Sequence, residues 1–195
     1  MWLFWTSVAI GQPMDSNDVL DRKNYILPPE AVTLHNELVE KSLQMQLPLQ
    51  TRWIRLLHYE KKSFNRYISD QESEYFFRSA EGKKNPEAEL KATLKDFLIP
   101  VQQFEDQNHH PQCMFPARFT WLDEQLSLSD YDIPNVFCSE LLAWQEEVNL
   151  DTVSLGFAGY YEGNPASFFG HTFLLLKSEE IEGENLYPLV SFGTE

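Results

Sequence analysis

The segment NPASFFGHTFLLL, residues 164–176, holds the side chain of this chain that is best suited to acid–base chemistry. Its His171 directly follows Gly170 and begins an apolar run, which predicts a rigidly held, half-buried ring at the start of a strand. Partial burial disfavours the imidazolium, so the ring stays neutral and can accept a proton from a thiol or hydroxyl. The alternative interpretation is a core histidine that donates to a backbone carbonyl.

Two polar residues just before His171 are candidates for supporting roles. Ser167 lies four residues upstream and is either a hydroxyl nucleophile or a turn-stabilising side chain, although the Gly-x-Ser-x-Gly pattern is absent. Asn164 is either a group that orients the imidazole or a turn former before proline.

The chain has two cysteines, Cys113 and Cys138, for which two interpretations are open. They suit one disulfide in an oxidising compartment. Alternatively, Cys138 lies at the start of a predicted helix, where a thiolate is stabilised, and forms a nucleophilic pair with His171. Glu140 argues against the pair, because a nearby carboxylate raises the pKa of a thiol.

His109, His110 and Cys113 form an H-H-x-x-C cluster of metal-ligating residue types. No second pair at ligand spacing accompanies the cluster, and the surrounding segment is a polar loop. The acids between 179 and 184 lack the spacing of a calcium loop. We therefore expect neither a metal site nor a cofactor.

Charge is distributed unevenly along the chain, whose net charge is −15. Residues 1–100 carry 13 Lys and Arg against 14 acids, whereas residues 101–195 carry 2 against 16. The acidic half repels nucleic acid and anionic lipid, which excludes nucleic-acid binding as the function of that half.

The amino-terminal segment MWLFWTSVAIGQPMDS has the apolar run of a secretory signal but no basic residues before it. The run is shorter than a bilayer-spanning helix requires. Its alternative interpretation is an apolar strand or helix that packs on the body. We expect residues 1–25 to be signal-like or loose and residues 26–195 to form a single domain.

Helical patterns precede strand patterns along the sequence. Pro28 and Pro29 precede a first helical pattern, and further helices are predicted to begin at Pro86 with Asn85 as cap, at Pro116 and at Cys138. Residues 51–59 fit a helix or a strand, and residues 74–77 (EYFF) predict a short strand. From Thr152 the apolar period changes to two, and HTFLLLK and YPLVSF follow as further strands. This order predicts an α+β fold in which a helical region packs on an antiparallel sheet.

Several motifs together resemble the bacterial Lnb N-terminal periplasmic domain family. They are LLHYEKKSFNRYISDQESEYFF, EGKKNPEAELKAT, QCMFPARFTWL and SLGFAGYYEGNPASFFGHTFLLL, in order over about residues 50–195. The resemblance implies an envelope protein in the periplasm of a Gram-negative bacterium, related to a lipoprotein N-acyltransferase. It also implies a permuted NlpC-like or papain-like fold, in which histidine on a strand precedes cysteine on a helix.

Within that resemblance, His171 corresponds to the family's FGHT histidine, and Cys113 and Cys138 correspond to cysteines flanking the FPAR helix, which favours a disulfide. The family's later Asn-Cys motif has no counterpart before Glu195. We therefore expect a partial domain without its nucleophile, from a cysteine acyltransferase or amidase-like protein. Its partners would be a lipoprotein or phospholipid, in association with a membrane. The alternative function is a non-catalytic periplasmic binding or structural module.

Overall fold

The structure is a computed structural model that describes residues 25–148, 152–158, 171–177 and 187–192. The chain divides into two compact units, Met1–Cys138 and Ser139–Glu195, and each is described by itself. This division does not test the prediction of a single domain over residues 26–195, which therefore stays a prediction.

The first unit is mainly helical. Its helices are α1 (Pro29–Gln44), α2 (Thr51–Leu56), α3 (Pro86–Phe97), α4 (Pro111–Met114) and α5 (Pro116–Leu126). Its two strands, β1 (Tyr59–Lys61) and β2 (Tyr67–Ser69), pair in an antiparallel hairpin. The segment 51–59, which fitted either a helix or a strand, therefore contains α2 and the first residue of β1.

Local sequence signals explain where these helices begin. Asn85 caps α3, because its side chain accepts from the N–H of Ala88 at 3.0 Å, and Pro86 occupies the first helical position. Proline also opens α1, α4 and α5. The predicted starts of α3 and α5 are thus confirmed, whereas α1 begins at Pro29, the second of the two prolines expected to precede it.

The core of the first unit lies between its helices and the hairpin. Trp53 of α2 stacks on Trp121 of α5 with ring centroids 5.5 Å apart, and its indole N–H donates to the carbonyl of Pro86 at 3.0 Å. Leu90, Leu94 and Phe97 line the buried face of α3. These three residues recur at helical spacing, so the apolar face of α3 packs into the core.

The strand predicted at residues 74–77 is wrong. Glu74–Phe76 is a single turn of 3-10 helix. The Phe76 carbonyl accepts from the guanidinium of Arg118 at 2.6 Å, and Phe77 is buried in the core. The carbonyl of Phe76 is thus bonded to a side chain of α5, whereas in a strand it would be available to bond to a neighbouring strand.

The second unit contains helix α6 (Ser139–Val148) and a three-stranded antiparallel sheet. Its strands are β3 (Thr152–Ala158), β4 (His171–Lys177) and β5 (Tyr187–Phe192), with β4 in the centre. The pairing of β4 with β5 shifts register between Leu174 and Leu175. The predicted α+β class is confirmed, whereas the packing of the helical region on the sheet and the permuted papain-like topology stay predictions.

In the part of the chain that the structure describes, no helix combines the length and apolarity that crossing a bilayer requires.

Candidate functional site

His171 is the first residue of β4, the central strand of the second unit's sheet. Its Cα pairs with that of Ala158, the last residue of β3, and the next residue, Thr172, pairs with Phe192 of β5. Strand neighbours on both sides therefore fix the backbone at this end of β4. A proton-transfer group benefits from such a rigid support.

The register between β3 and β4 places a row of small residues opposite the strand positions of His171. Ala158, Gly156 and Ser154 pair with His171, Phe173 and Leu175 respectively. Directly opposed residues of an antiparallel pair share one face of the sheet. The small residues of β3 are thus in register with the strand positions that share a face with His171.

Ser167 and Asn164, the predicted supporting residues, lie in the segment 159–170, outside the described residues. Their roles stay predictions.

Cys113 and Cys138 form a disulfide, with their Cα atoms 5.3 Å apart. The disulfide interpretation is confirmed. The interpretation of Cys138 as the nucleophilic partner of His171 is wrong for this oxidised chain, because a disulfide sulfur carries no thiol proton and is not a thiolate. These are the two cysteines of the 195 residues, so a thiol for His171 would have to come from outside them.

His110 is a buried structural residue. Its Nε2 lies 2.8 Å from the carbonyl oxygen of Ile99 and therefore donates to it, while Nδ1 accepts from the N–H of Gln112 at 3.2 Å and caps α4. Burial lowers the pKa of His110 to about 4. A neutral ring with both nitrogens engaged is unsuited to metal binding.

With Cys113 in a disulfide, the H-H-x-x-C cluster does not present a ligand set. Among the described residues, no group of three or more His, Cys, Asp and Glu side chains is arranged to hold a metal ion.

A buried ionic cluster in the first unit was missed by the sequence reasoning. Glu89 of α3 is fully buried and accepts from Nη1 of Arg118 at 2.9 Å. It also accepts from the N–H groups of Arg78 and Ser79, at 2.8–2.9 Å. Beside it, Arg78 forms an ion pair with Asp96, another residue of α3.

Aromatic rings and backbone groups complete the surroundings of Arg118. Its guanidinium lies 4.6 Å from the ring centroid of Phe76 and 4.4 Å from that of Phe115. Burial raises the pKa of the Glu89 carboxyl and lowers that of Arg118 to about 10, while the attraction between the two opposes both shifts. Because the Glu89 carboxylate accepts from Arg78, Ser79 and Arg118, we interpret this cluster as a structural element that holds the 76–79 segment to α3 and α5.

The sequence held a faint signal of this cluster. Glu89, Thr93 and Asp96 form a polar stripe at helical spacing directly beside the apolar stripe of α3, and all three are buried or nearly so. An acid in the first turn of a helix is also favourable by itself, so the sequence alone does not indicate that Glu89 is buried.

Comparison with known families assigns the two units separately. Residues 45–125 match the model of a domain of unknown function (DUF7843), and residues 140–195 match that of the Lnb N-terminal periplasmic domain. No curated protein and no solved structure matches the chain.

The sheet with His171 and the family match together define the class of the second unit, a periplasmic α+β domain of the bacterial envelope. The match to the Lnb N-terminal periplasmic domain covers the second unit apart from its first residue, Ser139. The protein is therefore periplasmic, as the resemblance implied. Over residues 45–125 the matching model is that of the domain of unknown function, so the earlier motifs, CMFPARFTWL among them, fall largely outside the Lnb match.

Proposed function

We propose that the second unit supplies the histidine base of a cysteine acyltransferase or amidase-like protein that acts on lipoproteins or lipid-linked substrates at an envelope membrane. The observation that carries the proposal is the position of His171 at the start of the central strand, within the segment that matches the Lnb family. The register of small residues of β3 with His171, Phe173 and Leu175 adds support, since a site on that face needs small neighbours.

The chemistry assigned to His171 is proton transfer. The neutral imidazole takes the proton of a cysteine thiol, and the thiolate attacks the ester carbonyl of a lipid donor. The alcohol leaves with the proton from the imidazolium, and an acyl thioester forms. An acceptor amine then attacks the thioester, which yields an amide and restores the thiol; with water as acceptor, the same steps hydrolyse the acyl group.

The alternative function is a non-catalytic periplasmic binding or structural module. The observation that favours it is the disulfide between Cys113 and Cys138, which leaves the 195 residues without a thiol nucleophile. This alternative needs no cysteine from outside them.

Trapping the acyl-enzyme separates the two functions. The protein encoded by the intact gene is incubated with a phospholipid radiolabelled in its acyl chains, and hydroxylamine-labile label on protein is measured. The proposal requires label on the wild type and on the His109→Ala control, and none on His171→Ala. If the wild type takes up no label, the binding module is the better account.

A further inference from the structure

An apolar and basic surface lies at the tip of the β1–β2 hairpin and beside it. We call it the hairpin surface and define it by Leu49, Phe64, Arg66, Ile68 and Lys84. Phe64 lies in the hairpin tip and is 93% exposed, and Leu49 is 60% exposed. Isolated exposed apolar residues are ordinary, but a group of them next to cations marks a contact surface.

Phe64 adopts a backbone conformation that does not suit an aromatic residue. Its φ of 62° and ψ of 36° fall in the left-handed region, which favours glycine and asparagine. Phe64 therefore contributes neither buried area nor a favourable turn to the fold. A costly conformation that presents an aromatic ring to solvent is typical of a functional contact.

A cleft of about 550 Å³ adjoins the hairpin, and the other four residues of the hairpin surface line it. Leu49 and Ile68 give it apolar walls, and Arg66 and Lys84 bring positive charge to it. Aliphatic walls with cations beside them match a phospholipid, whose acyl chains lie next to a phosphate.

The cations of this surface are not neutralised by acids of the described residues. Arg66 donates to the carbonyl of Ser63, and neither Arg66 nor Lys84 forms an ion pair within the described part of the chain. Glu87, the acid that lines the cleft, is paired with Lys91 at 2.6 Å.

The sequence KKSFNR, residues 61–66, carries three cations in a chain of net charge −15. Lys62 pairs with Glu60, whereas Lys61 and Arg66 form no ion pair within the described part of the chain. An anionic surface repels such a chain overall, so attraction is confined to places where cations are exposed, and the hairpin surface is such a place. The charge distribution thus favours an anionic partner for the hairpin surface.

We propose that the hairpin surface docks the protein on an anionic phospholipid bilayer, with the Phe64 ring inserted at the interface and Arg66 and Lys84 against lipid phosphates. This inference rests on the proposed function only for membrane association and not for catalysis at His171. It places the membrane contact in the first unit, for which neither family model assigns an activity.

Vesicle co-sedimentation of the whole chain tests the proposal. The vesicles contain phosphatidylglycerol and phosphatidylethanolamine, with phosphatidylcholine vesicles for comparison. Phe64→Gly removes the ring and suits the left-handed backbone, so its thermal stability should equal or exceed that of the wild type. Its affinity for the anionic vesicles should fall about tenfold or more. The control Phe137→Ser, which removes another exposed aromatic ring, should bind like the wild type.

A double variant tests the contribution of Arg66 and Lys84 to membrane binding. Arg66→Gln with Lys84→Gln should lower affinity by about fivefold per charge removed, on anionic vesicles only. Unchanged binding of Phe64→Gly, or equal binding of the wild type to both kinds of vesicle, would overturn the proposal. His171→Ala should bind vesicles like the wild type, so a failure of catalysis and a failure of docking are read from different variants.

Discussion

Glu89 of α3 and Arg118 of α5 form an ion pair 2.9 Å long in which both side chains are buried, with 0% and 4% of their surface exposed. The two residues are 29 apart in sequence, and their pair joins α3 to α5. Glu89 also accepts from the N–H groups of Arg78 and Ser79 and so fixes the turn before α3. Stability of the first unit therefore depends on a charge pair inside its core.

Glu89→Ala should destabilise the protein by about 3–5 kcal/mol, because it leaves the Arg118 guanidinium buried without its counter-charge. Urea denaturation measures the loss. The matched control is Glu87→Ala on the same helix, which removes an exposed pair with Lys91 and should cost about 0.5 kcal/mol or less. Equal losses from the two substitutions would show that the buried pair has no special role.

Gly82→Ala should also destabilise the first unit. A Cβ at this position would lie 2.2 Å from Oε2 of Glu89 and 2.9 Å from Cβ of Phe77. Since Glu89 is held by its donors, the clash should cost roughly 1–3 kcal/mol, measured as a lower urea midpoint. Ala80→Ser adds one heavy atom to an exposed neighbour in the same turn and should be neutral. A wild-type midpoint for Gly82→Ala would contradict the tight packing around Glu89.

The disulfide should contribute about 3 kcal/mol to the free energy of unfolding, because it closes a loop with a sequence separation of 25 residues. Cys113→Ser with Cys138→Ser should therefore unfold at lower denaturant than the oxidised wild type. Dithiothreitol should lower the stability of the wild type towards that of the variant and leave the variant unchanged. Identical curves for all four conditions would contradict a structural role for the bond.

Buried His110 should make the protein less stable in mild acid. Its pKa is about 4 in the folded chain, against 6.5 ordinarily, so between these values the unfolded chain binds a proton that the folded chain does not. The stabilisation is complete above about pH 6.5 and is lost as the pH falls to about 4, by at most about 3 kcal/mol.

Urea unfolding at about pH 7 and about pH 4.5 measures this effect. The difference between the two should shrink in His110→Gln and persist in His109→Gln. Glu89 and Asp96, whose pKa values burial raises, act in the opposite direction but are common to all these variants. A full wild-type difference in His110→Gln would assign the acid sensitivity to other groups.

Features fixed by near neighbours were predictable from the sequence. The Asn85 cap and Pro86 define the start of α3, and the change of period at Thr152 marks β3, because each depends on residues within one turn or strand. The position of His171 at the start of a strand was predictable for the same reason. Its partner Ala158 was not, since register depends on the pairing of two strands.

Features that depend on distant residues were missed. Glu89 reads locally as a solvated acid in the first turn of a helix, and only its contact with Arg118 explains its burial. The residues EYFF favour a strand by propensity, yet the same Arg118 binds the Phe76 carbonyl and the segment forms a turn. Tertiary contacts override local propensity in both cases.

The central claim, that His171 serves acyl transfer in the periplasm, is tested most directly on the products in cells. Mass spectrometry of lipoprotein amino-terminal peptides compares cells that carry the wild-type gene, His171→Ala or His109→Ala. The account predicts that an N-acyl group present with the wild type and with His109→Ala is lost with His171→Ala at equal protein levels. Identical peptides from all three strains would contradict it.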